Sequence, residues 1–253
     1  MGFNIEELKA NFGDFEMTGF TAYSQEQIQE KQSEIKPPFT ADTVFSSAVP
    51  ILQKIRNVEF DMPNLDYHNE KGHTSSSRLK KANITEWHYV NYDKVKPQKT
   101  DAFAWGDLLH DTIENRIKTG YWKPWKAGKF KTKTTIKTDT FEVHSSKVHL
   151  IRQTESYFER HPILKKLIEF GTAEASVFVD YVSDGGLITP LKIRMDNVVY
   201  EPIEDALHIF DWKSTSSIEW FYKDVEKYGY DLSAGMYSKV LQQSSGKKVY
   251  FHF

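Results

Sequence analysis

The sequence contains no cysteine, which excludes disulfide bonds, thiolate metal sites and cysteine nucleophiles. It also lacks any apolar run close to the roughly 18 residues that suggest a transmembrane helix. The first residues, MGFNIEELKANFGDF, carry acids early and have no apolar core of the kind found in secretory signals. These absences predict a cytoplasmic protein without a membrane partner.

The net charge of the chain is also small. The formal charge of −2 does not by itself indicate a nucleic-acid binder. A chain of 253 residues with 39% hydrophobic and 14% aromatic residues is long enough and apolar enough to bury a sizeable core. The first 70 residues show no pattern that carries chemistry. We therefore predict an N-terminal appendage or arm over residues 1–70 and one domain over residues 71–253.

Basic residues are concentrated between Ile117 and Thr138, where the sequence has seven lysines and no acid. Aromatic residues lie among them: Tyr121, Trp122, Trp125 and Phe130. Lysines can contact phosphates while aromatic rings stack on unpaired bases, which makes Lys123 and Lys126 candidate nucleic-acid contacts. The same pattern also fits a solvated hairpin with a few buried aromatics, and the sequence leaves both interpretations open.

Two later stretches predict a β-hairpin: LKIRMDNVVY, a turn at EPIEDA, and LHIFDWK. Side chains alternate along a strand, so Asp211 and Lys213 share one face of the second strand. If the two strands pair in a suitable register, Asp196 of the first strand comes beside them. Two carboxylates and one lysine can hold a hard divalent cation and place an ammonium next to a phosphate.

Upstream elements add two candidate residues. Apolar residues at four-residue spacing predict a helix over Phe103–Lys118, with Gly106 one turn before His110, where a glycine would clear space beside the histidine. Further along, EASVFVDY reads as a strand that begins at Glu174. The turn sequence SDGG then leads back to the strand that carries Asp196.

The ordered residues His110, Glu174, Asp196, Asp211 and Lys213 resemble the PD-(D/E)xK nuclease superfamily. The likeness is to RecB-like and RecE-like exonucleases, including phage recombination exonucleases, and covers roughly residues 74–253. The matching pieces are HTSSSRLKKANITEWHY, AFAWGDLLHDTIE, FGTAEASVFVDY, KIRMDNVVY, HIFDWKSTSS and YGYDLSAGMYSKVL. The resemblance implies an α/β, restriction-endonuclease-like core in which helices flank a central mixed β-sheet.

The resemblance also implies roles for single residues. The implied ligands of Mg²⁺ or Mn²⁺ are His110, Asp196, Asp211 and the backbone carbonyl of Trp212. The implied catalytic residues are Glu174, Asp196, Asp211 and Lys213. Further candidate contacts to nucleic acid are Arg78, Lys80, Arg194, Tyr230 and Tyr237. Arg78 and Lys80 also fit the exposed face of a helix, so for them the functional and the structural interpretation both stay open.

Such an enzyme would be a 5′-to-3′ exonuclease that acts on duplex DNA ends in recombination or repair. The implied partners are DNA, with its duplex ends and single-stranded tails, and a single-strand-annealing protein. A homo-oligomer is the state that many such enzymes adopt. If a phage encodes the chain, the compartment is the host cytoplasm.

The sequence departs from the family pattern at two points. The family usually has Tyr-x-x-Gln-x-x-x-Tyr in a late helix, whereas this chain has Ser233 between Tyr230 and Tyr237. Related sequences also continue past the strand KKVYFHF, which indicates a shortened C-terminal end. These departures keep two alternatives open: a non-catalytic DNA-binding or interaction module with the nuclease fold, and an α/β protein whose D-x-K motif is only a surface ion-pair cluster.

Overall fold

The computed structural model describes residues 39–82, 84–94 and 100–253. Its strands are β1 (Ser46–Ser47), β2 (Val58–Glu59), β3 (Thr74–Ser75), β4 (Lys126–Gly128), β5 (Ile136–Lys137), β6 (Glu142–His144), β7 (Thr172–Val182), β8 (Ile188–Glu201), β9 (Ala206–Phe210) and β10 (Lys248–His252). Its α-helices are α1 (Val49–Leu52), α2 (Asn64–Asn69), α3 (Ser76–Ala82), α4 (Glu86–Val90), α5 (Asp101–Thr119), α6 (Ser145–Arg160), α7 (Pro162–Phe170), α8 (Phe221–Tyr228) and α9 (Tyr230–Ser245). Short 3₁₀ turns occupy Tyr92–Lys94 and Ile218–Trp220. Within the described ranges, no helix has both the length and the apolarity needed to cross a membrane.

The centre of the protein is a mixed sheet with the strand order β10–β9–β8–β7–β2. β10 runs parallel to β9, while β7 and β9 are antiparallel to β8. The short strands β1 and β3 pair with β8 as well. Helices cover both faces, which confirms the predicted α/β architecture with a central mixed sheet.

The predicted hairpin of β8 and β9 is present. Val198 pairs with Ile209 and Val199 with His208, and the turn lies between Glu201 and Ala206. All five residues of β9 are buried, as expected for an inner strand covered on both faces. The register that would bring Asp196 towards Asp211 and Lys213 is therefore formed.

Two apolar layers hold the sheet. On one face, α9 packs on the alternate residues of β8 and β9. This layer includes Ile193, Met195, Leu207, Ile209, Leu232, Met236 and Val240. On the other face, α7 and the chain before β1 cover Val199 and Phe210. The period-two alternation of the strands thus separates a face with Asp211 and Lys213 from a face with Trp212.

Part of the predicted appendage packs on the central sheet. β1 pairs with β8 and β2 with β7, and both Ala48 and Leu52 are fully buried in the central core. Residues 39–70 therefore contribute strands and core side chains to the sheet built by the chain after residue 70. Two-residue strands and a four-residue helix leave no periodic signal in a sequence. Residues 1–38 of the predicted appendage lie outside the described residues.

The lysine-rich stretch contributes to a small second sheet, in the order β4–β6–β5. Trp125 is 1% exposed and packs against Leu108 and Ile151, so this ring belongs to a core rather than to a stacking surface. The Lys123 ammonium lies 2.6 Å from Asp111, and that ion pair gives it a structural partner in place of the predicted phosphate. Lys126 is 63% exposed and stays a candidate contact.

Candidate active site

The candidate site lies where β9 separates from β8. Asn197 pairs with Phe210, the last residue of β9, and the chain beyond it turns away from β8. The Asp211 amide donates to the His252 carbonyl at 2.9 Å, which holds the departing segment to β10. The Trp212 amide donates to Oδ2 of Asp196 at 3.0 Å. These two bonds fix the D-x-K segment against the end of the β8–β9 ladder.

The two predicted acids and the lysine meet there. The Lys213 ammonium is paired with Asp211, and the carboxyl groups of Asp196 and Asp211 are hydrogen-bonded to each other. Burial and the charge of Asp211 raise the pKa of Asp196 well above its usual range, against the opposing effect of Lys213. Burial alone would lower the pKa of Lys213, but Asp211 and Asp196 outweigh it and the pKa is raised. Lys213 is therefore held as a cation.

His110 completes the group from the helical side. Thr100 caps the N-terminus of α5 and Gly120, with φ of 78°, ends the helix, so His110 sits mid-helix and points at the sheet. Its Nε2 donates to the Trp212 carbonyl at 2.6 Å, and its Nδ1 lies 3.2 Å from Asp196. Burial lowers the pKa of His110, and the nearby Lys213 charge lowers it further.

A cavity of about 170 Å³ opens beside these residues, lined by Gly106, Trp212, Ser214 and others. A Cβ added to Gly106 would lie 3.9 Å from the Ser214 hydroxyl, which is an ordinary contact. His110 therefore does not depend on a glycine at this position for space.

Glu174 lies across from Asp196 on β7. Ala173 pairs with Asn197 and Ala175 with Met195, so the two acids face each other on neighbouring strands. Glu174 has φ of 55°, a left-handed conformation that costs a non-glycine residue about 1–2 kcal/mol. Burial raises the pKa of Glu174 to about 7, and Glu114 adds to that effect. The acid therefore exchanges a proton near neutral pH.

Arg194 has a different place from the one predicted. It is 9% exposed, and its guanidinium bonds Ser176 at 2.8 Å and the Met62 carbonyl at 3.0 Å. Its Nε also lies 3.7 Å from Glu174. These contacts hold the guanidinium inside the fold, next to Glu174, rather than on an exposed face.

Tyr237 is likewise internal rather than available to nucleic acid. Its hydroxyl bonds the side chain of Ser76 and the backbone of Arg194, and burial raises its pKa well above the usual range. On the edge of β8 that pairs with β9, β3 bonds residues 191–192 and β9 bonds residues 197–201. Tyr237 thus satisfies a backbone group in the interval between two strands.

Three other predicted contacts lie at or near the surface of the site. Lys80 and Lys213 both lie beside Tyr230. The Lys80 ammonium is 5.1 Å from the centroid of the Tyr230 ring, and the Lys213 ammonium is 5.2 Å from it. Arg78 is partly buried, with its guanidinium 4.9 Å from the Tyr89 ring centroid.

Gly229 adopts φ of 59° between α8 and α9 and lies against the aliphatic stem of Lys80. The left-handed turn leaves a signal in the sequence, because glycine is the usual residue there. The contact with Lys80 leaves none, because it joins segments about 150 residues apart.

The donor set suits a divalent cation. Two carboxyl groups close enough to share a hydrogen bond, together with a backbone carbonyl and an imidazole, are the ligands that Mg²⁺ and Mn²⁺ accept. Within residues 39–82, 84–94 and 100–253, no three His, Asp or Glu side chains form a complete metal-binding cluster. The three predicted side-chain ligands are instead engaged with protein groups: His110 with the Trp212 carbonyl, Asp196 with the Trp212 amide and Asp211 with Lys213.

Comparison with known proteins gives one family. Residues 75–253 match a family described as "PDDEXK-like domain of unknown function (DUF3799)". The match spans more than half of the 253 residues and includes every residue of the group around Asp196. No curated protein matches the chain.

Proposed function

The chain belongs to this family of PDDEXK-like domains, and from that premise we propose that it is a metal-dependent deoxyribonuclease. The observation that carries the proposal is the meeting of Asp196, Asp211 and Lys213 where β8 and β9 separate, with His110 against them. A buried pair of carboxyl groups beside a cation is costly to maintain without a use. Phosphodiester hydrolysis gives each of these groups a role.

Asp196, Asp211 and the Trp212 carbonyl would hold Mg²⁺ or Mn²⁺, with His110 as a further ligand. When bound, such a cation neutralises phosphate charge and makes the attacking water more acidic. The affinity for the cation depends on pH, because the carboxyl groups must release their protons to bind it.

The chain's own residues account for the other requirements. The Lys213 ammonium, with its raised pKa, is suited to stabilise the negative charge that develops on the phosphoryl group rather than to accept a proton. Glu174, with a pKa of about 7, is suited to accept a proton near neutral pH. Arg194 would hold Glu174 in place.

The test is cleavage of linear, 5′-end-labelled duplex DNA in Mg²⁺, Mn²⁺ or EDTA. The proposal expects metal-dependent products that Lys213→Ala abolishes, while the exposed Lys54→Ala keeps wild-type activity. Circular dichroism of both variants checks that the fold is intact. Absence of cleavage in either metal would overturn the proposal, and full activity of Lys213→Ala would overturn the assignment of the site.

The finer proposal is a 5′-to-3′ exonuclease on duplex ends that serves recombination or repair. It rests on the RecE-like resemblance, as do a single-strand-annealing partner and a homo-oligomeric state. Linear DNA would be degraded while closed circular DNA survives, and a 5′ label would be released before a 3′ label. Cleavage of closed circles, or of duplex RNA at the same rate, would contradict it.

One observation favours a second candidate, a DNA-binding module without catalysis. Ser233 is 6% exposed in α9, where the family usually has a longer glutamine. A serine side chain reaches less far towards the site. Binding of Mn²⁺ and DNA without cleavage of any substrate would support this candidate.

A further inference from the structure

Lys80 in α3 carries a partly buried positive charge. Among the described residues it forms no hydrogen bond or ion pair, although its side chain is partly buried. Asp211 and Asp231 attract its charge and Lys213 repels it, all without direct contact. A partly buried ammonium without an anion costs free energy, so a position of this kind calls for a partner from outside.

The side chain is held in this position from two sides. A Cβ added to Gly229 would lie 3.4 Å from Cγ and 3.6 Å from Cδ of Lys80, so the stem runs along the glycine backbone. The ammonium lies 5.1 Å from the Tyr230 ring centroid. The Lys213 ammonium lies 5.2 Å from the same centroid. Two cations thus converge on one ring beside Asp211.

The two lysines beside the Tyr230 ring differ in their charged partners. Asp211 is already paired with Lys213, while among the described residues no carboxylate pairs with Lys80. The Lys213 charge acts unfavourably on the Lys80 ammonium, and an anion that reaches both groups relieves this repulsion. A phosphodiester offers two charged non-bridging oxygens and is such an anion.

We propose that Lys80 is a further catalytic residue that binds a non-bridging oxygen of the phosphate undergoing cleavage. The inference rests on the proposed nuclease function. It adds that Lys80 contacts the phosphate being cleaved, whereas an ordinary surface lysine would contact any phosphate of the DNA backbone. Lys80 would then stabilise the transition state together with Lys213, and its loss would lower kcat more than it raises KM.

The experiment compares Lys80→Met and Lys80→Arg with Lys81→Met, which removes the same charge from the adjacent position of α3. We expect Lys80→Met to lower kcat about 10- to 100-fold, the loss of one charge-assisted hydrogen bond. Lys80→Arg recovers part of that loss. Lys81→Met leaves kcat unchanged and alters only a salt-dependent KM. Urea unfolding of Lys80→Met shows no loss of stability, which separates catalysis from structural support.

Two results would overturn the inference. An unchanged kcat in Lys80→Met, with an active wild type, would remove Lys80 from catalysis and leave the proposed function intact. A wild type that cleaves nothing in Mg²⁺ or Mn²⁺ would overturn the proposed function and the catalytic role of Lys80 together.

Discussion

Nδ1 of His110 lies 3.2 Å from Oδ2 of Asp196, and this contact joins helix α5 to the central strand β8. The opposite ring nitrogen donates to the Trp212 carbonyl at 2.6 Å. A neutral imidazole has one donor and one acceptor, so Nδ1 is left to accept. The raised pKa of Asp196 supplies a carboxylic acid that can donate to it. One ring thereby links three elements of the candidate site.

Replacement of His110 by alanine should weaken both metal binding and cleavage. We expect Mn²⁺ affinity and the cleavage rate to fall about tenfold or more, in line with the loss of a group that ligates or orients a metal. Isothermal titration with Mn²⁺ and the end-labelled DNA assay measure the two effects. His149→Ala is the matched control, because that histidine is exposed on α6. Equal Mn²⁺ affinities in the two variants would remove His110 from the ligand set.

Asp196→Asn should separate stability from activity. The folded pKa of Asp196 is raised, so at neutral pH the folded chain must bury a charge or take up a proton, and both cost free energy. Asparagine keeps an oxygen for the Trp212 amide and removes that cost. In EDTA we expect stabilisation by about 1–2 kcal/mol, or about 2–8 °C in Tm, together with loss of cleavage. A lower Tm would mean that the carboxyl group stabilises the fold.

The pair of His208 and His252 should make the fold sensitive to acid. Nδ1 of His208 lies 3.0 Å from Nε2 of His252, and burial lowers the pKa of each to about 4. Because both folded pKa values are depressed, stability is complete above about pH 6.5 and is lost as pH falls towards 4. After allowance for partial exposure, we expect a loss of about 1–2 kcal/mol between pH 7 and pH 5.

Urea unfolding of the wild type and His208→Phe at each pH measures this effect. Glu174 titrates in the opposite sense over part of the range, because its folded pKa is raised, but it does so equally in both proteins. The variant should lose about half of the pH dependence. Parallel curves would show that the histidine pair does not limit acid stability.

Tyr237→Phe should destabilise the fold without lowering the cleavage rate. The hydroxyl oxygen accepts from the Arg194 backbone and bonds Ser76, and its removal leaves a buried N–H donor unpaired. We expect a loss of about 1–3 kcal/mol in urea unfolding, with kcat close to that of the wild type. Tyr230→Phe, whose ring lies at the site entrance, is the comparison. A large fall in kcat with unchanged stability would return Tyr237 to the binding surface.

The parts of the fold that the sequence predicts correctly are those with a strong local pattern. Alternation along β8 and β9 predicts the shared face of Asp211 and Lys213, and turn residues predict the hairpin. The period of α5 predicts the helix but not which neighbour His110 meets; that expectation depended on the family resemblance. Local pattern and global pairing agree here, as they do in sequences that specify one structure.

The errors concern relationships between distant segments. The pattern that puts Arg194 on a sheet face does not reveal that α2 and β7 close over it, so a buried positioning residue was predicted as a DNA contact. The left-handed backbone of Glu174 has no signature in its own residue type. Strands as short as β1 and β2 exist only because the long strands β7 and β8 offer them a partner.

The central strand β8 is bonded to β7, β9, β1 and β3, and most of its residues are buried. Its amide protons should therefore exchange with solvent only when the whole domain unfolds. Asp196 is part of this slowest-exchanging strand, whereas Lys80 stands on the seven-residue helix α3. Hydrogen exchange should therefore rank the residues of the candidate site by protection, with the acid in the most protected element of the fold.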